Sequence, residues 1–226
     1  MHPAHADFLW PLARGQNVQP FSLEDSGLYE IVAHDPDDLA SVLTVDQLAG
    51  RAPRLFDFLE PWMARLAKRS PYQELQPSAE RPWGIQGPWM HLSRTAPLVL
   101  CRYMHPQRKP PAAVALSRYE PKLGLVTTVY PNNKSDFVRA GSEDEAWYIA
   151  ACVNAPCSQA ALARFVSSTT IGPSALGRLP LPRFEPANPL HFQVVAQGRK
   201  LSGCLPQRDE MDELDALVRR TVEERY

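Results

Sequence analysis

The chain has 226 residues, a length for one large domain or a domain with an appended lobe, and its 44% hydrophobic content supports a real core and excludes disorder as the default. A net charge of −1 and a pI of about 6.6 argue against nucleic-acid binding by bulk charge, which needs a strong positive field, while leaving room for a locally basic face. With 23 prolines against 11 glycines, the connections are expected to be stiff, with prolines marking strand ends.

The chain opens on an apolar stretch, Phe8-Leu9-Trp10-Pro11-Leu12, running into Arg14-Gly15-Gln16-Asn17-Val18. After Gly27, the alternating β-rich run Leu28–Val32 predicts a strand, and Thr44–Leu48 a short helical turn. Over residues 53–69, Leu55, Phe56, Leu59, Trp62, Met63 and Leu66 recur at three- and four-residue steps, predicting a helix with one apolar stripe. Arg65, Lys68 and Arg69 complement its C-terminal dipole, Pro61 predicts a kink or two short helices, and Pro71 prevents continuation.

A proline-punctuated β region follows. It comprises the short Pro82–Ile85, the strong Pro97–Tyr103, then Ala112–Leu116 and Leu125–Tyr130, with His105–Pro111 and Pro131–Lys134 as turns or exposed loops. Glu143, Asp144 and Glu145 place acids in the first turn of a second helix, and Trp147–Val153 make that helix apolar all round, hence deeply buried. Asn154-Ala155-Pro156 ends it, and Ser158 is the expected cap of a helix carrying Ala161, Leu162, Phe165 and Val166. A last helix from about 209 carries Met211, Leu214, Leu217, Val218 and Val222. Closely spaced strands with such turns predict an α+β fold: a mixed or antiparallel sheet with packed helices, in a single domain over 1–226.

Usual catalytic signatures are missing from the residues. There is no Gly-x-Ser-x-Gly elbow, no phosphate-cradling Gly-x-x-x-x-Gly-Lys, no His-Glu-x-x-His, and no two glycines one residue apart as a dinucleotide loop requires. The four cysteines, 101, 152, 157 and 204, have neither Cys-x-x-Cys spacing nor a His pair to complete a zinc set, and Cys101 and Cys152 read as buried hydrophobes. His34 with Asp35, Asp37 and Asp38 reads as solvated turn chemistry rather than a metal site. The N-terminus lacks the regions of a signal peptide, and no apolar stretch approaches a membrane span, so a cytoplasmic setting without membrane contact is expected.

Four stretches, in order, carry a resemblance. They are Pro11–Val18; Leu55–Glu60 continuing to Leu66-Ala67-Lys68-Arg69; Pro97–Arg102; and Trp147–Ala155 followed by Leu179-Pro180-Leu181-Pro182. From about residue 8 onward the chain resembles the TaqI-like C-terminal specificity domain of N6-adenine DNA methyltransferases and fused restriction-modification enzymes. That family's strand entry carries a basic residue where Pro97 stands here. Its catalytic Asn/Asp-Pro-Pro-Tyr/Phe strand end is approached only by Asn188-Pro189-Leu190-His191, which lacks the second proline and the aromatic ring.

The resemblance implies a target-recognition-domain-like fold and a non-catalytic reader of double-stranded DNA. Its partner would be a methyltransferase or restriction-modification catalytic chain, with S-adenosylmethionine bound by that separate catalytic domain. Reading bases requires Arg, Lys, Asn or Gln on exposed loops, with basic and amide groups on phosphates to set register. The candidates are Arg14, Gln16 and Asn17; Arg102, Gln107, Arg108 and Lys109; Asn132, Asn133 and Lys134; and Ser168 and Thr169 within the polar run from Ser167 to Thr170. Two rivals remain from the sequence: a protein-docking module using the apolar helix at 145–153, and a small enzyme using His34 and Asp35.

Overall fold

The computed structural model describes residues 3–68, 80–84, 91–103, 110–165, 176–202 and 206–224. Strands β1 (Leu9–Ala13), β2 (Val18–Gln19), β3 (Ser22–Leu23), β4 (Tyr29–Ile31), β5 (His34–Asp35) and β6 (Asp38–Val42) precede helices α1 (Val45–Arg51), α2 (Pro53–Leu59) and α3 (Met63–Leu66). Then come β7 (Leu98–Arg102), β8 (Ala112–Ala115), β9 (Arg118–Glu120), β10 (Leu125–Thr127), β11 (Tyr130–Pro131) and β12 (Ser135–Arg139). Helices α4 (Glu143–Asn154), α5 (Pro156–Phe165), Pro189–Leu201 and Arg208–Glu223 close the chain. The fold is α+β, and the pairs β1–β4, β2–β3, β5–β6, β7–β8, β9–β10 and β7–β12 are all antiparallel.

Contacts divide the chain into two compact units. One is assembled from Met1–Leu12, Gly27–Thr95 and Ser117–Tyr130, the other from Ala13–Ser26, Ala96–Leu116 and Pro131–Tyr226.

In the first unit, Phe8, Ala33, Leu43, Leu48, Ala52, Leu55, Leu59 and Trp83 form the core. Thr44 starts α1 as its N-cap, accepting from Gln47 N–H at 3.2 Å while the Gln47 side chain accepts from Thr44 N–H at 2.9 Å, a reciprocal cap that places Leu48 inward. The periodic run from 53 does not form one helix. Pro61 lies in a 3-10 turn, Glu60–Trp62, between α2 and α3, and the change of pitch turns Trp62 outward while Leu55 and Leu59 stay buried. Arg94 binds the unit's first segment to its last. Its guanidinium donates to Leu9 O and Thr127 Oγ1, each at 3.1 Å, and to Asp7 O, and lies 4.2 Å from the Trp10 ring centre. Trp83 lies in a turn rather than the short strand expected at Pro82–Ile85; Ile85 itself falls outside the described residues.

In the second unit, β7 is the central strand of the sheet β12-β7-β8 and buries Leu98, Val99, Leu100 and Cys101 on both faces. Each such aliphatic residue contributes roughly 1.5–3 kcal/mol. The helix α4 covers one face: Val99, Cys101 and Ala112 pack with Ala146, Ala150 and Val153. Its opposite side, through Tyr148, Ala151 and Cys152, packs with Val194, Val195, Leu201, Leu214 and Val218 of the last two helices. This accounts for an apolar helix without a polar face. Ser142 caps it by accepting from Glu145 N–H at 3.1 Å, and Glu145 returns a bond to Gly141 N–H at 2.6 Å.

Two local expectations change. The helix α5 begins at Pro156, so Ser158 is buried within it, and the cap comes instead from Asp215, whose carboxylate accepts from Cys157 N–H at 2.5 Å. The run Leu125–Tyr130 divides between β10 and β11 in different sheets. Asn188-Pro189 proves to be a helix start, with Asn188 Oδ1 accepting from Leu190 N–H at 2.8 Å.

Candidate nucleic-acid interface

Three of the four polar stretches singled out from the sequence converge in the second unit. The 3-10 turn Gly15–Asn17 follows β1 and is closed by Asn17, whose N–H donates to Arg14 O at 2.8 Å and whose side-chain oxygen accepts from Arg14 N–H at 3.2 Å. Asn132 joins this turn to the next. Its N–H donates to Ala13 O at 2.9 Å, and its Oδ1 accepts from Gly15 N–H at 3.3 Å and from Lys134 N–H at 3.0 Å. The third stretch enters through β7: Tyr103 N–H donates to Lys134 O at 3.0 Å, and Arg102 stands opposite Ser135 in the β12–β7 register.

Gly15 is required by the closeness of this junction. A Cβ built on it would lie 2.1 Å from Lys134 O, so no other residue fits without displacing backbone.

The arrangement separates organisers from available groups. Asn17 is buried at 8% exposure, and the Asn132 side-chain oxygen is occupied by two backbone N–H groups, so both act here as braces. Gln16, Asn133 and Lys134 are exposed, and Arg14 and Arg102 are half-buried. Among the described residues none of Arg14, Arg102 and Lys134 is ion-paired with a carboxylate. Three cations and two amides thus share one braced region of a chain whose overall charge is −1. Such a set can bind phosphates through Arg and Lys and present amide donor–acceptor pairs to base edges. Gln107, Arg108, Lys109, Ser168 and Thr169 lie outside the described residues.

Sequence reasoning missed the bracing roles of Gly15 and Asn132. The signals were present, a glycine flanked by polar residues and an Asn two positions before Lys134, but the partner loops lie over a hundred residues apart.

Other reactive groups are engaged or muted. Burial pushes the Cys101 and Cys152 thiols up to about 12 and Cys157 to about 11, which leaves these three as protonated thiols at neutral pH. His34 belongs to β5 rather than a solvated turn; it is buried, with Nδ1 2.6 Å from Leu39 O, and burial lowers its pKa. Asp35 is paired with Arg51 at 3.0 Å. Among the described residues no group of three or more His, Cys, Asp or Glu could hold a metal ion, and no helix is long and apolar enough to cross a membrane. Asp136, opposite Cys101 on β12, has a buried Oδ2 without a hydrogen-bond partner among the described residues, and desolvation raises its carboxyl to about 6. It lines an otherwise largely apolar cavity of about 270 Å³ with Phe137, Ile149, Val153 and Leu181. The apolar helix that suggested a protein-docking module is occupied by the core of its own unit.

No family model matches the sequence, and no curated protein is significantly similar to it.

Proposed function

We propose that the chain is the sequence-recognition part of an adenine-N6 DNA methyltransferase or restriction-modification system, non-catalytic by itself. In this reading it binds double-stranded DNA, while a catalytic domain carries S-adenosylmethionine and the pocket for the extruded adenine. The observation that carries the proposal is the convergence of Arg14–Asn17, Arg102 and Asn132–Lys134 in one braced region. The ordered resemblance over nearly the whole chain supplies the target class. Arg14, Arg102 and Lys134 serve as the phosphate contacts that set register, and Gln16 and Asn133 as the side chains that reach base edges.

The test is binding of the full chain to a randomised duplex library at two salt concentrations, followed by sequencing of the retained fraction. Retention of a defined site is expected, with affinity falling as salt rises. Each of Arg14→Ala, Arg102→Ala and Lys134→Ala should lower the slope of log affinity against log salt by about 0.9. Gln16→Ala and Asn133→Ala should relax the retained site at single positions. Absence of duplex binding at low salt, with or without an adenine methyltransferase present, overturns the reading.

A further inference from the structure

A second set of exposed groups lies in the first unit, on the segment spanning α2, the 3-10 turn and α3. Phe58 is 60% and Trp62 48% exposed, although both have the bulk of core residues. They are flanked by cations along one segment: Arg54, Phe58, Trp62, Arg65 and Lys68 follow at steps of four, four, three and three, and the three cations are all exposed. Three- and four-residue steps join neighbours on one face of an α-helix; the four-residue step from Phe58 to Trp62 enters the 3-10 turn, the step from Trp62 to Arg65 runs into α3, and Lys68 follows just beyond that helix. The segment also carries the exposed acids Asp57 and Glu60. Among the described residues Arg54, Arg65 and Lys68 form no ion pair with a carboxylate, and the Arg65 guanidinium lies 6.0 Å from the Trp62 ring centre.

We infer that this set of rings and cations binds single-stranded nucleic acid, with Phe58 and Trp62 stacking on unpaired bases and Arg54, Arg65 and Lys68 on the phosphates beside them. The flanking of both rings by cations points to this occupant. The core of a protein interface is depleted of charge, whereas here each ring has a cation within about one turn. A basic track combined with aromatic platforms is the chemistry of sequence-tolerant single-strand binding. Spacing separates single strand from duplex. The two ring positions are four residues apart across the end of α2 and the 3-10 turn, roughly 6–8 Å of axial rise, wider than the 3.4 Å step of paired, stacked bases but open to bases that have left the stack. The inference extends the proposed function without depending on it, because it uses different residues in the other unit.

The test is fluorescence anisotropy of a labelled oligothymidylate with the full chain at low salt. Native protein is expected to bind. Trp62→Ala and Phe58→Ala should each weaken binding roughly ten-fold, while Trp62→Phe, which keeps a stacking face, retains most of it. Arg54→Ala and Arg65→Ala should lower the salt slope by about 0.7 each. These positions are exposed, so thermal melting of the variants should match native protein. Failure of the native chain to bind oligothymidylate, or a Trp62→Ala variant that binds as native, overturns the inference. Duplex binding by Arg102→Ala and Lys134→Ala is read in parallel, so either reading can fail alone.

Discussion

The side-chain amide of Asn154 pairs with the backbone of Ala112 in both directions, accepting from its N–H at 2.9 Å and donating to its carbonyl at 2.7 Å. Asn154 is the last residue of α4 and Ala112 the first of β8, so the amide extends the edge of the sheet with a side chain. The same carbonyl accepts from Phe21 N–H at 2.9 Å, which brings the β2–β3 hairpin to this point. Asn154→Ala would remove a partner from each of two buried backbone groups. The expected loss is about 2–4 kcal/mol of unfolding free energy in urea titration, and Asn154→Asp, which keeps only the acceptor, should also be destabilised.

Gly15 tests whether the converged loops act as one. Gly15→Ala places a methyl group against the Lys134 carbonyl, and one of the two turns must shift. Duplex affinity is expected to fall at least as far as in Lys134→Ala, although no charged side chain is removed. Duplex binding of Gly15→Ala that equals native would separate the loops functionally.

A similar close approach holds the helices of the second unit. A Cβ on Gly198 would meet the Ala151 Cβ at 3.0 Å and Trp147 O at 3.3 Å. Gly198→Ala gains about 1 kcal/mol of helix propensity, which overpacking of about 1–3 kcal/mol offsets or exceeds. Gly198→Leu has no such compensation and is expected to lower the melting temperature clearly below that of the alanine variant.

The pH dependence of stability carries two opposed contributions. Burial lowers the pKa of His34 and His191 in the folded protein, so their contribution is fully present above the unfolded value of 6.5 and is lost as pH falls through the folded values. Asp136 is raised from 3.8 to about 6, so its contribution is present below 3.8 and is lost as pH rises through 6. Asp136→Asn should remove the second component and stabilise the protein at neutral pH by about 1 kcal/mol after allowing for partial solvent screening. Denaturation midpoints of native and variant protein across pH 4–8 separate the two, and an unchanged profile in Asp136→Asn would remove the carboxylate from the account.

The elements legible in the sequence were those whose burial is local and periodic. The central strand β7, the helix α4 and the C-terminal helix each showed their pattern directly. The strand β12 was not legible, because Ser135-Asp136-Phe137-Val138-Arg139 lies at a sheet edge and owes its conformation to five register pairs with β7. The helix Pro189–Leu201 was hidden because His191, Gln197 and Gly198 occupy buried positions that a hydrophobic pattern assigns to apolar residues, although its Asn-Pro start was a usable signal. At the candidate interface, residue types could be nominated from sequence. Which of them brace and which remain available depends on contacts between loops distant in the chain.

Division of the chain between its units has a practical consequence for dissection. The path crosses between them after residues 12, 26, 95, 116 and 130, so neither unit corresponds to a continuous stretch of gene. A fragment ending at residue 95 would deprive the first unit of β9 and β10 and leave the second with little more than its β2–β3 hairpin. Loss of function on truncation would therefore report collapse of both units rather than locate an activity, and mapping belongs to point variants within the intact chain.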